Sequence, residues 1–416
     1  MSAKNSIVVS GLLLAGCAVR APEIPMRSFT AGDIGVAAAK ARQEVDKGPP
    51  ENLALMLNIL AQCEQMLGDQ DAAWRHFEVA GQIMGNWQTS GSETFNAVVG
   101  SESSKTYKGD PYEKAMNAFY AGVHYLWRGE PDNARACFKR GILADAELGE
   151  DKFRADFTLL YWLAGRASSL MGKQSEADDF YREAKEADEF ARAHGSRGDG
   201  EQRILGDPGA GNLVLLVECG MGPVKYGDGG QEELARFRPG DTTVSRAQVT
   251  VGGRDVGSTV PLVDLYYQAS TMGGTEMEGI RKGKAVLKSV TTVSGVVLLD
   301  MAAHDSGKGA RDKAIAGGAL LLLGLLTSTA ADVRHWATLP DTVQVLTLDV
   351  PPGDHDLHLA FFDRNGAHLG ALDQDWKVSV PEGSESFYLF RSLPGLDRIV
   401  PTASEPAAAP TEKKLP

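Results

Sequence analysis

The sequence predicts an α+β chain: N-terminal helical repeats, then an antiparallel β-sandwich-like domain interrupted by an apolar helical hairpin. Three observations carry this. A 3.6-residue apolar period runs from about Asp33 to His194, and within it one pattern of glycine, alanine and aromatic spacings recurs. After Ser196 the period shortens to two, with Gly, Pro and Asn turns between short apolar runs. A single uncharged run of eighteen residues, Ala314 to Ala331, stands inside that second half.

The first sixteen residues have one positive charge, Lys4, and an apolar core from Ile7 to Leu14, too short to span a bilayer. Leu14-Ala15-Gly16-Cys17 closes this stretch and resembles the lipobox of bacterial lipoproteins. The resemblance implies cleavage after Gly16 and acylation of Cys17. Ala18, where an Asp would retain the chain at the inner membrane, implies export to the outer membrane, facing the periplasm. Residues 17–32 read as a lipidated tether, and membrane contact is expected through the N-terminal lipid.

The helical part is expected over 33–195. Gly68, Ala73, Phe77 and Ala80 are separated by five, four and three residues. Gly129, Ala134, Phe138 and Gly141 repeat those spacings, as do Gly172, Ala177, Tyr181 and Ala184. This matches the helix-turn-helix signature of tetratricopeptide repeats. Glycine closes the turn, the small alanine admits close packing, and the aromatic one turn later fills the groove. The turn glycines are 61 and 43 residues apart, so the repeats are not in tandem. Gly85 to Pro111, rich in Ser, Gly and Thr, accounts for the longer gap and reads as a loop or a partner-binding insertion.

Residues 196–211 are polar and glycine-rich and read as a linker. The β-rich domain is expected over 212–400. Strands are predicted at Leu213–Val217, at Ala247–Val251 with a return over Val260–Gln268, and at Thr342–Val350. Further strands are predicted at Leu357–Phe362, Trp376–Val380 and Phe387–Phe390. The helical hairpin is placed at 278–338. Its eighteen-residue run is at the lower limit for a membrane span, but Gly317, Gly318 and Gly324 favour burial in protein. The Pro/Ala-rich tail, 401–416, reads as disordered.

Lys and Arg number 42 against 55 Asp and Glu, a formal charge of -13 that becomes -14 without Lys4. Such acidity disfavours nucleic acid and anionic lipid headgroups as partners, and no nucleic acid partner is expected. Besides Cys17 there are Cys63, Cys137 and Cys219. They read as small buried hydrophobes, a Cys63–Cys137 bridge being the alternative.

No phosphate-binding loop, nucleophile elbow or zinc-protease motif is present, so no catalytic residue and no cofactor is expected. Asp354, His355, Asp356 and His358 place four potential metal ligands in five residues. Strand alternation sends His355 to one face and Asp356 and His358 to the other, so a turn entering a strand is the stronger reading.

Three stretches resemble a group of tetratricopeptide lipoproteins of Gram-negative envelopes for which no catalytic residues are established. They are Tyr107 to Met116 with Tyr120 to Gly129, Val217 to Lys225, and Ala331 to Pro340. The expected function is a lipid-anchored periplasmic scaffold that binds a protein partner, with envelope biogenesis as its setting and a homo-oligomer left open. A membrane-active subunit using the apolar hairpin and an envelope-polymer hydrolase are the alternatives.

Overall fold

The computed structural model describes residues 21–85, 106–146, 157–229, 234–272 and 331–396. The signal stretch 1–16, Cys17, the run Ala314 to residue 330 and the tail 401–416 lie outside them.

Among the described residues eight helices come first: α1 (Met26–Thr30), α2 (Ile34–Lys47), α3 (Leu53–Met66), α4 (Gln70–Gly85), α5 (Pro111–Trp127), α6 (Pro131–Ala146), α7 (Thr158–Leu170) and α8 (Gln174–Ala193). Three helix-turn-helix pairs, α3–α4, α5–α6 and α7–α8, share one turn. Gly68, Gly129 and Gly172 have φ of +85°, +70° and +71°, a region only glycine enters cheaply. In each turn the residue after the glycine donates its N–H back to the carbonyl five positions earlier: Asp69 to Glu64, Glu130 to Tyr125, Lys173 to Ser168. That bond closes the exposed end of the first helix. Ala73, Ala134 and Ala177 are fully buried, with Phe77, Phe138 and Tyr181 packed beneath. A Cβ on Gly122 would stand 2.2 Å from the Phe138 ring, and one on Gly165 would stand 2.3 Å from the Tyr181 ring. Absent side chains on the first helix of these two pairs therefore make room for the aromatic of the second.

The strands are β1 (Leu213–Cys219), β2 (Val224–Asp228), β3 (Leu234–Arg238), β4 (Arg246–Val251), β5 (Arg254–Ser258), β6 (Val260–Asp264), β7 (Thr342–Leu348), β8 (Gly353–Phe362), β9 (Gln374–Val380) and β10 (Ser386–Arg391). One sheet has the order β10-β1-β7-β6, a second β5-β4-β8-β9, and β2 and β3 form a separate hairpin. The antiparallel expectation fails at one edge, where β10 runs parallel to β1. The chain reaches that edge by crossing from β9 in the second sheet, so no direct hairpin joins β10 to its neighbour.

The first sheet is the middle layer of three. Every residue of β1 is buried. Val214 and Leu216 join the core shared with the helices, while Leu213, Leu215 and Val217 join the core shared with the second sheet. Phe387 and Leu389 on β10 likewise face the helices, and Tyr388 and Phe390 face away from them. The two-residue period of a strand thus serves two interfaces, which is why β1 reads as a continuous apolar run.

Several expectations need correction. The return over Val260–Gln268 is not the partner of β4. Gly252 and Gly253, both at positive φ, turn the chain into β5, and Val260 begins a strand of the other sheet that ends in helix α9 (Leu265–Met272). Residues 331–338, expected at the end of the helical hairpin, are not helical. Their side chains bond to the helical layer instead. The stretch 196–211 is not a free linker: Asp199, Ile204 and Leu205 are buried. The Asp199 carboxylate accepts the N–H groups of Arg203, Ile204 and Leu205 at 2.9, 2.6 and 2.8 Å. From Pro25 the tether is also docked, with Phe29 fully buried.

Candidate functional site

The first helix of each pair is buried on nearly all sides. Twelve of fourteen residues of α3, fourteen of seventeen of α5 and ten of thirteen of α7 are inaccessible. The second helices bury far less, five of sixteen residues in α4 and six of twenty in α8. The face formed by the first helices is occupied by the chain's own sheet and by residues 331–341. Trp127 donates its indole N–H to the Phe387 carbonyl, and Arg334 Nη1 reaches Asn52 Oδ1 at 2.9 Å. Tyr120 donates to the Glu218 carboxylate on β1. That face has no room for a partner.

The three stretches that carry the family resemblance meet here. Lys225 Nζ, on β2, pairs with Asp110 at 2.6 Å. Glu113 accepts the backbone N–H of Asp110 at 2.6 Å with one oxygen and that of Trp336 at 2.5 Å with the other. The Arg334 guanidinium lies 5.7 Å from the Tyr107 ring centre. Burial, then the Asp110 carboxylate, pushes the Glu113 carboxyl up to about 7, against the pull of Lys225 and the two N–H groups. Tyr107 and Tyr112 face the same carboxyl, and burial raises both phenols as well. These contacts fasten β2 and the segment around Trp336 to the start of α5.

The fastening has a pH signature. Glu113 ionises near 4.5 when exposed and near 7 when folded, so the folded protein holds the extra proton between those values. Its contribution to stability is full below about 4.5 and is lost as pH rises through about 7. Glu113→Gln is expected to remove a pH-dependent change on the order of 3 kcal/mol in stability across that window. Urea unfolding of both proteins at a series of pH values measures it. Parallel curves would show that Glu113 does not titrate as described.

The accessible site is on the other side of the helical layer. A groove of about 550 Å³ lies between α4, α5 and α6. Gly81 and Met84 form one wall, Lys114 and Asn117 the floor, and Arg135, Ala136, Lys139, Arg140 and Leu143 the other wall. On α6 these positions follow helical spacing and lie opposite the core positions Ala134, Cys137, Phe138 and Gly141. Ala136, Lys139 and Arg140 are exposed, and Leu143 is 65% exposed, the most of any large apolar side chain described. Arg135 is paired with Glu176. Asn117 is fixed by hydrogen bonds to the Asn58 side chain and the Phe77 carbonyl, at 2.9 and 2.8 Å. The floor is therefore rigid, and the groove joins an apolar lining to a rim on which Lys139 and Arg140 stand against one acid, Asp132.

The metal-ligand candidates do not converge. His355 bonds to the Pro351 carbonyl at 2.8 Å, His358 to Asp375 at 2.8 Å, and Asp356 stands 4.0 Å from Lys377. Asp354 lies opposite Ser379 in the β8–β9 ladder. Cys63, Cys137 and Cys219 are free and buried, so the alternative Cys63–Cys137 bridge is not formed. Burial pushes the Cys63 thiol up to about 12 and the Cys137 thiol to about 11, which makes both unreactive at neutral pH. No helix among the described residues is long and apolar enough to cross a membrane.

No protein-family model and no curated protein matches the chain. Solved structures resemble part of it. The crystal structure of MamA is 18% identical over 41% of this chain and 82% of its own, with a TM-score of 0.28. BtubC (BKLC) from P. vanneervenii is 19% identical over 39% of this chain and 59% of its own, also at 0.28. A Podosopora anserina kinesin light chain candidate with nearly identical TPR-like repeats is 12% identical over 41% and 92%, at 0.23. Likenesses at these TM-scores carry no argument about this chain; its three helical pairs stand on their own turn geometry.

Proposed function

We propose that the chain is a scaffold of the cell envelope, anchored through acylated Cys17 at the periplasmic face of the outer membrane, that holds an acidic amphipathic segment of a protein partner. The observation that carries this is the groove between α4, α5 and α6. Among the described residues it is an open, partly apolar surface of the repeats, whereas the face of their first helices is filled by the chain itself. Lys114, Lys139 and Arg140 outnumber the one acid of the lining, Asp132, on a chain of net charge -13, so charge complementarity favours an acidic segment with apolar anchors. Envelope biogenesis is the setting this anchoring suggests.

A photo-crosslinking residue at Leu143 in intact envelopes is expected to give one protein adduct. Adding Lys139→Glu and Arg140→Glu should cut its yield about tenfold, because reversing two rim charges repels an acidic ligand. Both are exposed, so the melting temperature should stay within a few degrees of wild type. The same probe at Tyr226, exposed on the β2–β3 hairpin, is the control. Identical adducts from both positions, or an adduct indifferent to charge reversal, would sink the proposal.

A further inference from the structure

A second cleft, of about 610 Å³, lies between the segment 197–203 and the ends of β4, β6 and β7. Four arginines line it: Arg197, Arg203, Arg246 and Arg364. They come from three distant parts of a chain with thirteen more acidic than basic residues. Their partners differ. Arg197 is spent, forked onto Asp264 and Asp341 at 2.6 Å each. Arg203 donates to the Ser258 carbonyl at 3.0 Å and touches Glu201, a rim residue 77% exposed, at 3.1 Å. Arg246 and Arg364 have no carboxylate partner among the described residues.

Both remaining guanidiniums are held in place. Arg246 lies over the Phe362 ring, 5.0 Å from its centre, and the two residues are cross-strand neighbours of β4 and β8. Stacking fixes the plane without consuming its N–H donors. Arg364 donates to Thr242 Oγ1 at 3.2 Å, which leaves most of its donors free. Behind them the floor is internally satisfied. Gln344 donates to the Ser245 carbonyl at 2.8 Å and to Thr342 Oγ1 at 3.1 Å, and accepts from Thr259 Oγ1 at 2.5 Å. Asp199, the buried acid of the lining, is bound to three backbone N–H groups. The cleft therefore presents donors in excess of acceptors.

We propose that this cleft binds a phosphoryl group carried on a small organic body. The guanidiniums of Arg246 and Arg364, with the Nη2 of Arg203 beside them, exceed what one carboxylate with two oxygens can use. They suit the three oxygens and higher charge of a phosphate monoester. The volume is in the range of small-molecule sites and well above that of bare phosphate. Val260 and Pro261 line it as the apolar contact for the attached body. This site is separate from the groove of the helical layer and does not depend on the scaffold reading.

Calorimetric titration of the full chain tests it with three probes: inorganic phosphate, glycerol 3-phosphate and dihexanoyl phosphatidic acid below its micellar concentration. Saturable binding of glycerol 3-phosphate identifies a soluble ester as the source of the phosphoryl group; binding of the phosphatidic acid alone identifies a lipid headgroup. Either supports the site if Arg246→Gln and Arg364→Gln each weaken binding about tenfold and the double variant abolishes it. Arg364 is exposed in a turn, so its variant should keep the wild-type melting temperature. Arg182→Gln, on the exposed face of α8, should bind as wild type. No saturable binding of any probe, binding of inorganic phosphate alone, or binding that survives the double substitution overturns the proposal.

Discussion

Trp336→Ala is expected to lower stability by about 4 kcal/mol, a large share of what holds a domain of this size together. Trp336 is 1% exposed and fills the space between Phe77 and Tyr120, its ring centre 6.2 and 5.6 Å from theirs. Truncation removes that volume and leaves a cavity that three packed elements cannot close. It also breaks a chain of hydrogen bonds. The indole N–H points at Gln62 Oε1 at 2.6 Å, and Gln62 Nε2 donates to the Tyr120 hydroxyl at 2.7 Å. Tyr120 then donates to Glu218 on β1. One side chain thus links residues 331–341 to α3, α5 and the central strand. Trp336→Phe keeps most of the volume and loses the N–H, so about half the effect is expected. Urea unfolding measures both. A loss below about 1 kcal/mol for the alanine variant would show that the occupied face of the helices is not a stabilising interface.

The turns of the helical pairs were legible because their causes are local. Gly68, Gly129 and Gly172 punctuate a 3.6 period, and the alanine and aromatic that follow lie one turn apart. Strands with one buried face were legible for the same reason, as in Leu357, Leu359 and Phe361 of β8 alternating with half-buried neighbours. Strands without a clear buried face were not. β5, at a sheet edge, is exposed or half-buried throughout, and β2 and β3 bury one residue each. Without apolar alternation in β5, the sequence points for the return of β4 to Val260–Gln268, whose residues are more apolar but belong to another sheet and a helix.

The candidate sites were less legible, and for a different reason. Lys139, Arg140 and Leu143 do lie on one stripe of α6, but the stripe has meaning only once the opposite face, with Ala134 and Phe138, is known to be core. The arginine cleft gathers positions 203, 246 and 364, and no local pattern announces three residues brought together by sheet topology. The three resemblance stretches were legible one by one. Their common cause, the contacts among Asp110, Glu113, Lys225 and Trp336, is a property of the folded chain.

Arg166→Met is expected to cost about 3–5 kcal/mol, because Arg166 is fully buried and serves partners that nothing else can satisfy. Its Nη1 donates to the Ala210 carbonyl at 2.7 Å and its Nη2 to the Gly211 carbonyl at 2.6 Å. The Glu385 carboxylate, just before β10, lies 2.7 Å from Nη2. One guanidinium on α7 therefore holds both the entry to β1 and the entry to β10. Methionine fills a similar volume but strands two carbonyls and a half-buried acid. Lysine restores the charge without the fork, so Arg166→Lys should recover less than half the loss. The deficit should also depend on pH. Burial raises the Glu385 carboxyl, and Arg166 pulls it back down. Without Arg166 the folded-state value rises further, so the folded variant prefers a protonated Glu385 and loses stability as pH increases through that value. The Arg166→Met penalty should accordingly be larger at pH 8 than at pH 5, and Glu385→Gln in the same protein should remove that difference. Urea midpoints of the single and double variants at the two pH values decide it: a penalty independent of pH would mean that the stranded carbonyls, and not the acid, account for the role of Arg166.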